Sequence, residues 1–223
     1  MTRIRFGLAV LTVCAVGAYF TWSRKPDDTD QHRHARQLIL NNTLSRVNDP
    51  VIVVGDSIVE AATLPRSICG HPIVNAGLIG SSTTSDLGAW LALALDGKRA
   101  ALIVVSLGIN DVLISTPQSK ESFADRYAML LDQLSKLTPQ LAALEIPQVE
   151  AKGRITIAMR DEAISTINGY NSILPGLAAR HGATFVSLSA MPKLHTMDGV
   201  HLNSDGYQAW EEAVMQAATK ICG

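Results

Sequence analysis

Apolar runs of strand length alternate with longer segments of helical spacing along most of this chain. Val51 to Val54 is a run of β-branched residues that stops at Gly55-Asp56-Ser57. Pro72 to Asn75 and Thr184 to Leu188 are shorter runs, and Ala101 to Leu107 (ALIVVSL) is almost continuously apolar. Such continuity marks strands covered on both faces. A further strand has two candidates, Leu141 to Ile146 and Arg154 to Ala158; the first is preferred because Pro147 would end it. Helical spacing predicts helices over Ser85–Leu95, Ser122–Leu137, Glu162–Arg180 (broken near Pro175-Gly176) and Ser204–Ile221. Gln148 to Asp161 reads equally as a mobile lid or as a long connection. Strands separated by helices predict an α/β fold, a mostly parallel sheet of about five strands between two helical layers. Ligands in such sheets sit beyond the carboxyl ends of the strands.

The first residues follow a different pattern. Arg3 and Arg5 precede an uncharged run from Phe6 to Ser23, which Arg24-Lys25 close. A bilayer-spanning helix takes roughly 17 to 25 such residues, so the run reads as a signal anchor, a transmembrane helix ahead of the domain. A cleaved signal peptide competes with it, since Val16-Gly17-Ala18 would serve as a small-residue cleavage site. Either reading puts the domain outside the cytoplasm, periplasmic and membrane-anchored or secreted. The expected division is 1–25 signal anchor or signal peptide, 26–48 linker and short helix around Leu38-Ile39-Leu40, and 49–223 the α/β domain. Export gives the cysteines a meaning. With Cys14 in the anchor, Cys69 and Cys222 are either a disulfide pair or two free thiols.

Composition narrows the class of partner. The chain has 223 residues, 47% of them hydrophobic and 17% charged, and a net charge of −1. Its cations are scattered rather than gathered in a stripe interleaved with aromatics, which argues against nucleic acid. His32 and His34 lack a carboxylate or cysteine cluster at ligand spacing and read as a solvated segment.

Polar loops follow the strands: Gly55-Asp56-Ser57, Asn75 to Ser82 (NAGLIGSS), Ser106 to Asp111 (SLGIND) and Asp198 to Asn203 (DGVHLN). Each alone is ordinary: a strand-to-helix turn with a cap, loop punctuation, a loop histidine after Asp-Gly. Together they supply the parts of acyl transfer. A serine hydroxyl needs a base, and His201 can be that base for Ser57. Asp198, within one turn of His201, can fix its tautomer and stabilise its cation. The oxyanion needs donors, and the backbone N–H groups of Ser57 and Gly80 with the side-chain amide of Asn110 can provide them. A metal reading of His195, Asp198 and His201 fits a helical spacing, but Met197-Asp198-Gly199 reads as a loop, so neither metal nor cofactor is expected. Val112, Leu113 and Ile114 read as acyl-pocket lining or as core.

From about Val51 to Trp210 the sequence resembles the SGNH or GDSL hydrolases. Gly55-Asp56-Ser57-Ile58 is similar to the family's first block, Asn75-Ala76-Gly77-Leu78-Ile79-Gly80 to its second, Gly108-Ile109-Asn110-Asp111 to its third, and Asp198-Gly199-Val200-His201 to its last. The resemblance implies a flavodoxin-like three-layer fold of strand order 2-1-3-4-5 and metal-free ester hydrolysis. It departs from the family at Ala61, where many members carry glycine, and at Ser81, where relatives often have Asp. The expected activity is hydrolysis of a carboxylic ester, an acetylated glycan, an acylated lipid or a small ester. The alternatives are transfer of the acyl group to a sugar hydroxyl and a non-catalytic binding module.

Overall fold

The computed structural model describes residues 28–113, 118–153 and 155–222. The chain divides into two compact units, with the boundary between Arg36 and Gln37. That boundary falls inside the first helix, α1 (Asp28–Leu44), so the short helix expected before the domain is longer than the sequence indicated. Its second half belongs to the larger unit, where Leu40 and Leu44 are buried. The apolar run Phe6–Ser23, with Cys14, lies outside the described residues. Among the described residues no helix is long and apolar enough to cross a membrane.

The larger unit is a three-layer α/β fold on a mostly parallel sheet. In chain order its elements are β1 (Val51–Gly55), α2 (Ser57–Ala61), β2 (Ser67–Ile68), β3 (His71–Gly77), α3 (Leu87–Leu95), β4 (Leu102–Ser106), α4 (Ile109–Leu113), α5 (Lys120–Leu134), β5 (Leu141–Leu144), α6 (Ile157–Asn171), α7 (Leu174–Arg180), β6 (Ala183–Val186) and α8 (Ser204–Ala218). The sheet order is β2-β3-β1-β4-β5-β6. The expected order of parallel strands is present as β3-β1-β4-β5-β6, and the two-residue β2 adds an antiparallel edge that no run of that length announces.

β1 is central, and every one of its residues is buried. Full burial of each β-branched side chain contributes roughly 1.5–3 kcal/mol. The register puts Gly55 level with Gly77 on one side and Ser106 on the other, so three strands end together and their loops leave from one edge. Gly77 allows α2 to lie directly on β3, because a Cβ there would collide with the backbone nitrogen of Glu60. Behind the sheet, α8 buries Trp210, whose indole N–H donates to Ser106 Oγ on β4 at 3.0 Å.

Most element boundaries shift by one to three residues from the sequence reading, and three of the differences have an identifiable local reason. β5 ends at Leu144 rather than Ile146, because Asn171 takes both backbone groups of Ile146, its Oδ1 accepting the N–H at 3.0 Å and its Nδ2 donating to the carbonyl at 2.9 Å. α6 begins at Ile157, inside the rejected strand candidate, with Thr156 as N-cap. The expected break at Pro175-Gly176 falls earlier, at Ser172-Ile173, and Pro175 sits in the first turn of α7, where its missing N–H costs nothing.

Cys69 and Cys222 form a disulfide, joining the turn before β3 to the end of the chain. It lies at the amino end of β3, away from the edge where the polar loops gather.

Candidate active site

The site begins where β1 stops. Asp56 caps α2, its Oδ1 accepting the N–H of Ile58 at 2.9 Å, and Ser57 becomes the helix's first residue. Ser57 Oγ lies 3.1 Å from Nε2 of His201. On the far side of that ring, Nδ1 lies 2.7 Å from Asp198 Oδ2. Asp198 Oδ1 also accepts the backbone N–H groups of Val200 at 3.0 Å and His201 at 2.8 Å. A serine, an imidazole and a carboxylate thus stand in one hydrogen-bonded line. A main-chain bridge between Thr196 and Leu202 and a bond from Met197 N to His201 O (2.7 Å) close the Asp198–His201 loop.

The electrostatics fit the order of these groups. Burial would raise the Asp198 carboxyl, but the hydrogen bonds from the His201 ring, from the backbone N–H groups of His201 and Val200, and the charge of His201 outweigh it and bring it to about 2. Asp198 is therefore a carboxylate at any ordinary pH. Asp56, next to the serine and 2% exposed, behaves oppositely. Burial pushes it up to about 7, against the pull of the Ile58 N–H and the His201 charge.

Gly80 stands on the loop after β3 and Asn110 in the first turn of α4, and the two segments adjoin. The bond from Leu78 N to Gly55 O (3.0 Å) holds the glycine loop against the end of β1. Gly80 has φ +76°, a conformation that suits glycine, and a Cβ there would meet no protein atom within 4 Å. Backbone conformation, not crowding by the protein, calls for glycine. Asn110, in α4, donates from Nδ2 to Ser81 O at 2.8 Å, and its amide retains a second N–H. Asp111, completely buried, accepts from the backbone and hydroxyl of Thr83 and from Gln118 Nε2, tying the same loop to α4. Burial raises its carboxyl as well, against those Thr83 bonds.

The residues read as lid or connection form a buttress, with Arg154 outside the described residues. Glu150 Oε1 accepts the N–H groups of His195 (2.6 Å) and Thr196 (3.1 Å), and Lys152 Nζ donates to Thr196 O at 3.1 Å. Burial raises the Glu150 carboxyl, but those bonds and the His195 ring bring it below its usual range. His195 is buried, with its ring nitrogens 2.8 Å from Pro192 O and 2.9 Å from Gln148 O. Its side chain is thus committed to carbonyls, and the set His195, Asp198 and His201 is not assembled. Among the described residues no group of three or more His, Cys, Asp or Glu side chains is placed to hold a metal ion.

Val112 belongs to the core, Leu113 packs against it, and Ile114 lies outside the described residues. A cavity of about 710 Å³ lies beyond β5 and β6, lined by Ile146, Val149, Ile164, Leu188 and Met191 among others. None of Ser57, Asp198 and His201 lines it. Glu60, Asp111 and Glu150 were not singled out from the sequence, and His195 was read only as a metal-ligand candidate. Asp111 stood in a motif that was read, but the contacts of the other three carry no spacing signal, because their partners are distant in the chain.

Comparison with known proteins converges on one family. The profile of the GDSL-like lipase/acylhydrolase family matches residues 53–209. Comparison with the curated proteins finds no match. Among solved structures, a Streptococcus pneumonia protein provisionally described as a platelet activating factor is similar, with TM-score 0.70 and 23% identity, covering 92% of this chain and 98% of that one. A GDSL-like lipase from Bacteroides thetaiotaomicron has TM-score 0.61 and 17% identity, covering 82% and 97%. An acetyl xylan esterase has TM-score 0.61 and 21% identity, covering 75% and 98%. At such identities these structures speak to the fold.

Proposed function

Because the chain belongs to the GDSL-like lipase/acylhydrolase family, we propose that it hydrolyses carboxylic esters through an acyl-enzyme on Ser57. The observation that carries this reading is the line from Ser57 Oγ to His201 Nε2 (3.1 Å) and from His201 Nδ1 to Asp198 Oδ2 (2.7 Å). Ser57 Oγ adds to the ester carbonyl as its proton passes to Nε2. Asp198 holds the ring in the tautomer that leaves Nε2 free and stabilises the imidazolium. The carbonyl oxygen becomes an oxyanion facing the N–H groups of Ser57 and Gly80 and the free amide proton of Asn110. Collapse expels the alcohol, which takes the proton from Nε2. Water, deprotonated by His201, then adds to the acyl-enzyme and releases the carboxylic acid and Ser57.

An acetylated glycan, an acylated lipid or a small ester is the substrate class. Similarity to an acetyl xylan esterase and to a GDSL-like lipase supports the first two. The chain acts outside the cytoplasm, held at a membrane through Phe6–Ser23 or released if that segment is cleaved. The uncharged run itself and the Cys69–Cys222 disulfide support that placement. A panel of p-nitrophenyl esters from acetate to palmitate, run beside acetylated glycans, tests the reading. A preference for acetate points to deacetylation and a long-chain optimum to lipids, while no turnover of any ester overturns it. Adding a free sugar to the same assay distinguishes transfer, because acyl sugar would then appear in place of acid.

A further inference from the structure

We infer that Glu60 is a positioning residue for catalysis, tying the turn that carries Gly80 to the helix that carries Ser57. The inference rests on the reading of Gly80 N–H as an oxyanion donor. Leu78 to Ser81 is a tight turn closed by Ser81 N to Leu78 O at 3.1 Å, with Gly80 third at φ +76°. A positive φ at that position is the mark of a type II turn.

Such a turn needs holding, because the direction of its central N–H, that of Gly80, follows from a single peptide plane. Side-chain packing anchors its first residue, Leu78, but not its central pair. Ile79 is 54% exposed, and a side chain at Gly80 would touch nothing. The restraint comes from polar groups on either side. Ser81 O accepts from Asn110 Nδ2 at 2.8 Å, and Ile79 N donates to Glu60 Oε2 at 2.6 Å. The second bond is charge-assisted. Its acceptor stands one helical turn from Ser57 on α2, and α2 lies against β3 at Gly77. Glu60 therefore fixes the distance between nucleophile and oxyanion donor through one short helix. Rate falls steeply when such geometry loosens.

Two variants break this bond from opposite sides. Glu60→Ala removes the acceptor. Ile79→Pro removes the donor at the second position of the turn, where proline is favoured. Each is expected to lower kcat on p-nitrophenyl acetate about tenfold with little change in KM, short of the roughly 10²–10³ that follows loss of an oxyanion donor outright. The double variant should lose no more than either single one, and Glu60→Gln, which keeps a carbonyl acceptor, should recover most of the rate. A butylboronic acid adduct on Ser57 should weaken in parallel with kcat. Hydrogen exchange at Ser81 N–H, which closes the turn onto Leu78 O at 3.1 Å, should quicken in Glu60→Ala and stay close to wild type in Glu60→Gln. Unchanged exchange at Ser81 in Glu60→Ala, or losses that add in the double variant, would overturn the tether. A wild-type protein that turns over no ester would instead overturn the esterase reading, and the exchange measurement would still decide the role of Glu60.

Discussion

Asp198 grips His201 at two points, its Oδ2 at 2.7 Å from ring Nδ1 and its Oδ1 at 2.8 Å from the backbone N–H of the same residue. One carboxylate thus sets both where the histidine sits in the loop and which way its ring faces. Asp198→Asn can keep the backbone contact through its carbonyl, but it turns an NH₂ toward Nδ1 and favours the tautomer with a proton on Nε2. That proton blocks general-base action toward Ser57. We expect kcat to fall by about 10⁴ with folding preserved, as loss of the tautomer does in serine triads. Steady-state kinetics with a Tm measurement checks this, and a loss under tenfold would contradict it.

Asp56 makes a pH-dependent prediction. Its folded-state carboxyl sits at about 7 against an ordinary 3.8, because it is buried. Between those values the folded protein keeps a proton that the unfolded chain has released. This group's contribution therefore makes stability fall as pH rises from about 4 through about 7, and level off above. Asp56→Asn retains an acceptor for Ile58 N–H but cannot ionise. The Tm of the variant relative to the wild type should rise between pH 4.5 and 8, and a difference independent of pH would refute the assignment.

The disulfide closes a long loop far from the chemistry. Replacing Cys69 and Cys222 together by serine should cost about 2–5 kcal/mol of stability. Activity at 25 °C should be unchanged, since the bond lies at the amino end of β3 while Ser57 follows the carboxyl end of β1. Urea unfolding of the oxidised protein and the double variant measures the difference.

Trp210 and Ser106 join α8 to the sheet through a buried hydrogen bond of 3.0 Å. Trp210→Phe leaves the Ser106 hydroxyl without that donor, which costs about 1–3 kcal/mol. The loss should appear in Tm with kcat little changed. A fall in kcat at constant Tm would mean that this contact acts on the site instead.

The parts of this fold that were legible in the sequence are those whose signal is local. β1 and β4 are continuous apolar runs because both their faces are covered, and the strand ends could be read from the polar residues that follow. Ser57, Asp198, His201, Gly80 and Asn110 stood out as a set because each lies in a polar stretch that follows a strand, at one edge of the sheet. The start of α6 did not, because Ile155-Thr156-Ile157 carries a strand-like composition and only the cap at Thr156 overrides it. The end of β5 depends on Asn171, distant in the chain but adjacent in space. Glu60, Glu150 and the buttressing role of His195, which had been read as a metal-ligand candidate, were opaque for the same reason. Their partners at Ile79, Thr196 and Gln148 are known only once the chain has folded.

The central claim is that the hydroxyl of Ser57 forms the bond to the acyl group. Turnover of p-nitrophenyl acetate by Ser57→Ala, measured beside the wild type with Tm recorded for both, tests it most directly. We predict a fall of at least about 10³ in kcat, in keeping with loss of a triad nucleophile, with Tm nearly unchanged. Hydrolysis by a folded Ser57→Ala variant at the wild-type rate would contradict the account.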